Sequence, residues 1–266
     1  MKLFLLALCL NGIVLTAFSQ ELYVNTEPAS NMATNSLGIR VENQGYTSPV
    51  YKNRSTLELM YGASRHLMLH GSLYVSDYYH NSQHFEGGST YAKYRFLSFD
   101  SVQRHFRGAF FTKLSAINNP VINQEINLEG DNSGIQSGFV FTQLLHKLAL
   151  SGSVSYLRAW DNGGDNALPT ANARNAIAYT LSSGYLLLPE TYKDYNQLNV
   201  NVYAEFLGKT NPGYGQSYVD AAPALQLIIN SLIRVDFSYR VPIYNTMERN
   251  TAHMYLVRLE YNLFNL

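Results

Sequence analysis

The sequence predicts an all-β protein, a single transmembrane antiparallel up-and-down β-barrel of about twelve strands, within a range of about ten to fourteen. Three observations lead to this fold class. Only 14% of the 266 residues are charged, against about 25% in a soluble domain. Apolar and polar residues alternate about a dozen times along the chain, which is the periodicity of strands. The expected connections alternate in length, as they do in bacterial outer-membrane barrels.

The first residues have the pattern of a secretory signal peptide. Lys2 supplies the positive charge, Leu3–Leu15 form the apolar stretch, and small residues lead to a cleavage site after Ser19. Cys9, the single cysteine, lies inside this signal, so the mature chain has no thiol chemistry. We expect a cleaved signal peptide (1–19), a periplasmic N-terminal segment (20–34) and an outer-membrane β-barrel (35–266). Export predicts the cell outer membrane as the location.

Each predicted strand has one apolar and one polar face. In the stretch 233–241, apolar residues occupy the odd positions and Arg234, Asp236, Ser238 and Arg240 occupy the even ones. A charge on the lipid face near the bilayer midplane costs about 2–4 kcal/mol for Arg or Lys, so we expect charged side chains to face the lumen. Thirteen strand charges share the polar face: Arg40, Glu42, Glu58, Lys93, Arg95, Arg107, Lys113, Glu205, Arg234, Asp236, Arg240, Arg258 and Glu260.

The connections separate a membrane barrel from a soluble sandwich, whose strands also alternate. If the first strand runs outward, long loops lie on one side and short turns on the other. The predicted outer loops are 44–54, 76–88, 116–133, 159–174, 208–217 and 244–251. The predicted inner turns are 62–65, 99–103, 144–147, 188–194 and 230–232. An even strand count puts both ends of the wall in the periplasm.

The end of the chain carries two resemblances. The stretch Tyr255–Phe264 resembles the C-terminal signal that the barrel assembly machinery recognises, and Asn265-Leu266 follow it. The closing hairpins are similar to a family of transporter-like outer-membrane barrels named after the meta pathway of phenol degradation. This similarity covers about the last quarter of the chain and lies in Tyr203–Lys209, Ala222–Leu227 and Phe237–Ile243. It implies an outer-membrane barrel that moves small, often hydrophobic compounds.

The thirteen lumen charges are the main functional candidates. Eight are basic and five acidic. The pattern favours the simpler interpretation, that buried charges require partners and water in the lumen. The alternative is a mildly basic constriction that selects anions or polar solutes, as charged rings do in pores. Because the first and last strands must pair to close the barrel, the charges of Arg40 and Glu42 could meet those of Arg258 and Glu260. We therefore expect a passive, porin-like channel or transporter-like conduit for small solutes.

Two alternatives to a channel remain open. One is a closed structural or receptor barrel that binds a partner through its outer loops. The other is an outer-membrane lipid hydrolase that uses His70 and Ser72, which are two apart on a strand. Both side chains fall on the lumen face, whereas a lipid-cleaving pair should face lipid, and nucleophilic catalysis needs an oriented base. We therefore predict no enzyme and no catalytic residues.

Metal and nucleic-acid sites are weakly supported. His80 and His84 lie four apart in an expected loop and could hold a transition metal with a carboxylate, but a solvated loop explains them as well. We predict no metal site and no cofactor. A net charge of zero leaves no electrostatic footprint for nucleic acid. The expected partners are outer-membrane lipid, the barrel assembly machinery and a small solute.

Overall fold

A computed structural model describes residues 23–102, 104–190, 197–264 and 266. It contains twelve β-strands in one closed sheet. The strands are β1 (Leu37–Tyr46), β2 (Lys52–Gly62), β3 (Leu67–Ser76), β4 (His84–Ser101), β5 (Arg104–Ile117), β6 (Ser133–Leu145), β7 (Leu148–Trp160), β8 (Asn175–Leu188), β9 (Asn199–Asn211), β10 (Gln216–Ile229), β11 (Ile233–Asn245) and β12 (Met254–Leu263). The predicted all-β class and strand number are confirmed.

Every strand pairs antiparallel with its neighbours in the chain, and β1 pairs with β12 to close the barrel. Up-and-down closure removes both exposed sheet edges, so every backbone ladder is paired. Because the strand number is even, β1 begins and β12 ends at the same rim. We call this the inner rim and the opposite one the outer rim. Within the described ranges, no helix has the length and apolar character that a membrane crossing requires.

The predicted alternation holds along the wall. Outward residues are apolar and exposed, as Leu181 is with 61% of its surface exposed, whereas its neighbour Ser182 is buried inside. The stretch 176–187 is apolar at so many positions that its sequence leaves the facing open. The structure places Ile177 and Leu181 outward and Ala176 inward. A closed barrel with an apolar exterior and a polar interior is the arrangement of outer-membrane barrels.

The strands extend further toward the outer rim than the pattern predicts. The outer connections shrink to 47–51, 77–83, 118–132, 161–174, 212–215 and 246–253, and the inner ones are 63–66, 102–103, 146–147, 189–198 and 230–232. The inner connection 189–198 is longer than the outer connections 47–51 and 212–215, so the length rule holds only in part. Ladder pairing continues into residues that were expected to be loop, such as Lys209 opposite Tyr218. These extensions bring further charged residues to the lumen wall.

The apolar exterior leads to a stability prediction. Replacing Leu181, which lies halfway along β8, with Arg should lower the free energy of unfolding in lipid vesicles by about 2–4 kcal/mol, because the charge would face hydrocarbon. Leu187→Arg places the same charge on the same face near the inner rim, where the cost should fall to about 0–1 kcal/mol. Denaturant titration measures both variants. Equal costs at the two depths would contradict a lipid-covered exterior.

Candidate functional site: the barrel lumen

Ion pairs line the interior of the four strands around the closing seam. Charges of opposite sign stand directly opposite each other across the β11–β12, β12–β1 and β1–β2 pairs. The nitrogen–oxygen distances are 2.9 Å for Arg40–Glu260, 2.8 Å for Arg40–Glu58, 2.5 Å for Arg258–Glu42, 3.4 Å for Arg258–Asp236 and 3.1 Å for Arg234–Glu260. The expected meeting of the first and last strands' charges across the seam is therefore confirmed.

Residues 23–33, which we call the inner segment, run inside the barrel. The Lys93 ammonium on β4 donates to the carbonyls of Pro28, at 2.7 Å, and Ser30, at 2.8 Å. The Ala29 amide donates to the Thr142 hydroxyl on β6, at 2.9 Å. We predicted that residues 20–34 lie in the periplasm, and this is wrong for the inner segment. It lies inside the barrel because it supplies hydrogen-bond partners to buried polar groups of the wall. Residues 1–22, including the expected signal peptide, lie outside the described part of the chain.

Glu205 on β9 is the main anchor of the inner segment. Its side chain is almost fully buried, with the residue 1% exposed, and it accepts four hydrogen bonds from residues 24–26. The donors are the Val24 amide at 3.0 Å, the Asn25 amide at 2.8 Å, the Asn25 side chain at 3.1 Å and the Thr26 hydroxyl at 2.8 Å. Among the described residues no cation pairs with Glu205, so these donors, with Ser182, balance a buried carboxylate that would otherwise be costly.

Glu27 attaches the same segment to the opposite wall. Its carboxylate lies 3.2 Å from the Arg40 guanidinium and 3.6 Å from the Lys93 ammonium. Burial alone would raise the pKa of Glu27, but Lys93 and Arg40 outweigh it and hold the pKa at about 2. Carboxylates therefore hold the inner segment at two opposite walls. Glu205 of β9 binds it on one side, and its own Glu27 binds Arg40 and Lys93 on the other.

The connection 118–132, which we call the outer loop, turns into the lumen from the other rim. Glu125 accepts from the Lys209 ammonium at 2.8 Å and from the Tyr218 hydroxyl at 2.7 Å. Burial would raise the pKa of Glu125, but Lys209 and then Arg240 lower it to about 2. Glu129 pairs with Lys113, so the outer loop is fixed to β5, β9 and β10.

Arg54 fixes the end of the outer loop and was not among the predicted site residues. Its guanidinium contacts Glu86 at 2.6 Å and Asp131 at 2.5 Å, and all three lie at the outer end of the lumen. Gly130 packs against this guanidinium with a φ of +101°, and a Cβ there would lie 2.5 Å from the Arg54 Nε. The sequence alternation could have identified Arg54, because it lies four residues from Glu58 and therefore on the same, lumen-facing side of the strand.

Two adjoining cavities remain between the inner segment and the outer loop. The outer cavity has a volume of about 190 Å³ and the inner one about 140 Å³. The residues that line both are Gln44, Glu129, Leu207, Arg240 and Met254. The lumen therefore keeps a polar space along its axis, closed on one side by residues 23–33 and narrowed on the other by residues 118–132.

The charges of the lumen balance once the two inserted segments and the longer strands are included. To the eight basic and five acidic strand residues the structure adds three cations (Arg54, Lys209 and Arg249) and six anions (Glu27, Glu86, Glu125, Glu129, Asp131 and Asp220). The lumen charges named so far then number eleven of each sign, and Asp100, which pairs with Arg107 near the inner rim, adds one further anion. The excess of positive charge that the sequence indicated is local rather than general.

The remaining predicted lumen cations lie near the inner rim. Arg107 pairs with Asp100 at 3.0 Å and donates to the Ser30 hydroxyl at 2.9 Å. Arg95 donates to the Arg65 carbonyl at 2.7 Å. Both side chains lie where a solute would meet the barrel from the inner side, but their selectivity role stays a prediction.

His70 and Ser72 face the lumen, as expected, and both contact Glu58. The Ser72 hydroxyl donates to Glu58 at 2.9 Å, and the His70 Nδ1 lies 3.4 Å from the same carboxylate. The serine is thus bonded to the acid rather than to the histidine. A nucleophile needs its base within hydrogen-bond reach, and this arrangement does not provide one on the lipid face.

Metal binding finds little support. The rings of His80 and His84 lie 4.5 Å apart at their centroids in an exposed position, and no carboxylate of the described chain completes a three-ligand set with them. The one such set in these ranges is Glu27, Glu58 and His70, whose ligand atoms lie within 4.8 Å of one another. The Arg40 guanidinium already binds both carboxylates, and the Lys93 ammonium lies 3.6 Å from Glu27, so cations of the protein itself already contact this set.

Solved structures with the same fold are outer-membrane barrels. An outer membrane channel from Pseudomonas putida F1 shares 10% identity at a TM-score of 0.59, over 91% of this chain and 100% of that one. The KdgM porin shares 12% identity at a TM-score of 0.52, over 86% of this chain and 99% of that one. No family model and no curated protein matches the chain. The similarity shows the fold, and the resemblance of the closing hairpins to the phenol-pathway family stays a prediction.

The anchoring role of Glu205 can be tested by cysteine accessibility. The only natural cysteine, Cys9, lies in the expected signal peptide, so Ala29→Cys gives a single reporter at a fully buried position. Adding Glu205→Ala removes hydrogen bonds to a charged group, each worth about 1.5–3 kcal/mol, and should speed maleimide labelling at least about tenfold. Glu248→Ala, an exposed outer residue, is the matched control. Unchanged labelling in the Glu205 variant would contradict the anchor.

The pKa of Glu27 predicts when docking should weaken with pH. Because the pKa of Glu27 is depressed in the docked state, the ionised side chain stabilises docking fully above the ordinary glutamate pKa of about 4.3. This stabilisation is lost as the pH falls toward about 2. Labelling of the Ala29→Cys reporter should therefore stay slow from about pH 5 to 8, after correction for thiolate content, and rise in acid. Glu27→Gln should reduce this acid dependence. Release near neutral pH would disagree with the pairing of Glu27, Arg40 and Lys93.

Proposed function

We propose that this chain is a gated passive channel of the cell outer membrane that conducts small polar solutes. One observation carries the proposal: the inside of the closed barrel is polar and contains residues 23–33, a segment that contacts the wall through side chains and is no part of its ladder. The wall is a closed ladder of paired strands, whereas the inserted segment is held only by hydrogen bonds and ion pairs with wall side chains. The segment can therefore leave the lumen without breaking the wall, as the gate of a pore must. The porin and channel structures with this fold support the same conclusion.

The location follows from the exterior. The outward residues of all twelve strands are mostly apolar, and such a surface is stable in hydrocarbon but not in water. We propose that the membrane lipid covers this face and that the barrel assembly machinery recognises the last strand. The signal peptide expected at 1–19 belongs to the same proposal.

Solutes would pass along the axis between the outer and inner cavities. Twelve strands lie between the eight-stranded barrels that their own side chains fill and the sixteen-stranded porins that hold an aqueous channel. The width of the path therefore depends on what occupies the lumen. With the inner segment docked, the passage is closed on the inner side. With it released, the ion-paired wall of β11, β12, β1 and β2 would line a polar route.

A closed receptor or structural barrel is the second candidate. The observation that favours it is the extent of filling, since the outer loop and the inner segment both pack inside with buried apolar residues such as Leu128 and Tyr23. A barrel fixed in this state would bind partners only at its outer rim. No catalytic role is proposed, because the Ser72–Glu58 contact lies in the lumen.

Conductance separates the candidates. In planar bilayers the wild-type chain should show small or rare openings, and Glu205→Ala should raise the open fraction by about tenfold or more, since it removes charge-assisted hydrogen bonds. Glu248→Ala should behave as the wild type does. A properly folded Glu205 variant with no conductance at all would favour the closed barrel over the channel.

A further inference from the structure

The outer cavity has a wall with more positive than negative charge. Arg240 and Arg249 both bind one carboxylate, that of Asp220, which is fully buried. Arg249 holds it through two bonds of 2.6 Å and 2.7 Å, and Arg240 through bonds of 2.7 Å and 3.2 Å. One negative charge therefore serves two guanidinium groups, which leaves one positive charge at this wall without a counter-charge.

The neighbouring pair does not remove this excess. Lys209 and Glu125 balance each other at 2.8 Å, and the Tyr218 hydroxyl donates to the same carboxylate. The Tyr218 ring has Arg249 at 4.2 Å, Lys209 at 5.8 Å and Arg240 at 6.0 Å from its centroid. Three cations and two carboxylates thus surround one ring, and their sum is one positive charge.

Arg249 retains unused binding capacity. Its side chain is only 4% exposed, it lines the outer cavity, and its Nε is buried without a hydrogen-bond partner among the described residues. A buried donor without a partner costs free energy. Arg240 lines the same cavity and is 20% exposed. An acceptor with negative charge would satisfy both the charge and the donor.

The opposite wall of the cavity offers no equivalent site for a cation. Asp131 already accepts from the Arg54 guanidinium, the Tyr79 hydroxyl, and the Asn127 and Asn250 amides. Its oxygens are therefore occupied. A ligand would meet the unbalanced positive charge at one end of the cavity. Elsewhere it would meet neutral groups such as Asn127 and Gln136, and charged groups already paired within the protein, Arg54 with Asp131 and Glu129 with Lys113.

We propose that the Arg240–Arg249–Tyr218 cluster is a subsite for a small monocarboxylate with a polar body, which deepens the proposed function by naming the solute class. The volume of about 190 Å³ exceeds the roughly 150 Å³ that holds benzene in an apolar cavity, so the carboxylate end of a six-carbon acid fits there and its polar body extends toward the adjoining inner cavity of about 140 Å³. A carboxylate suits the planar fork of an arginine. The position of Arg240 between the two cavities places the subsite on the solute path.

Equilibrium binding tests this subsite independently of transport. Gluconate and sorbitol are matched six-carbon probes that differ at the carboxylate, and calorimetry on the folded protein in detergent measures both. Gluconate should bind at least about tenfold more tightly than sorbitol, the difference expected from one charge-assisted hydrogen bond. Arg249→Gln should abolish this preference, whereas Arg249→Lys, which keeps the charge, should retain part of it. Arg174→Gln, an exposed cation of another outer connection, should leave the preference unchanged.

A second variant tests the sign of the charge argument. Asp220→Asn keeps the shape and raises the excess of the cluster from one to two positive charges, so it should tighten gluconate binding, with barrel folding checked by heat-modifiable migration. Equal binding of gluconate and sorbitol by the wild type, or an unchanged preference in Arg249→Gln, would overturn the subsite. Gluconate binding without any conductance would retain the subsite and reject the channel. Conductance without a preference for gluconate would retain the channel and reject the subsite.

Discussion

The structure depends on one constraint: the charges inside a barrel must find their partners inside it. Water reaches the lumen only in part, and a buried ion without a partner costs several kcal/mol. The wall meets this constraint first across its own strands, where Arg40, Arg234 and Arg258 face carboxylates in direct register. Where the wall supplies no partner, other parts of the chain supply it.

Glu205 shows how this constraint produces closure. On its own wall the carboxylate has the neighbouring Ser182 hydroxyl but, among the described residues, no cation. The backbone amides of Val24 and Asn25 approach it from the inner segment, so the chain that blocks the lumen is also the partner that a buried carboxylate requires. Lys209 and Glu125 are the equivalent for the outer loop. The contacts that close the lumen are therefore the same contacts that compensate its buried charges.

The sequence predicted the wall well, because period-two alternation is a local property. The strand number, the facing of nearly every strand and the seam contacts of Arg40, Glu42, Arg258 and Glu260 all follow from parity and closure. Strand ends were predicted too early, since ladder pairing continues past the last apolar residue. Arg54 and Lys209 were therefore assigned to loops although they share the parity of the lumen face.

The inserted segments could not be predicted in this way. Residues 23–33 and 118–132 have no periodicity, and their positions depend on contacts with residues far away along the chain. Glu205 lies about 180 positions from residues 24–26, and Lys209 lies 84 positions from Glu125. The local excess of positive charge at Arg240 and Arg249 has the same origin. Asp220 serves both arginines only because β10, β11 and the connection 246–253 meet at the outer rim.

A reversible tether tests the central claim most directly. The Thr26 and Ser182 hydroxyl oxygens lie 2.9 Å apart, so Thr26→Cys with Ser182→Cys can lock the inner segment to β8. In the Glu205→Ala background, single-channel current should be absent under oxidising conditions and should return when a reductant opens the disulfide, while each single-cysteine chain should conduct in both conditions. The same current with the tether closed and open would contradict the account, because the inner segment would then not be the gate.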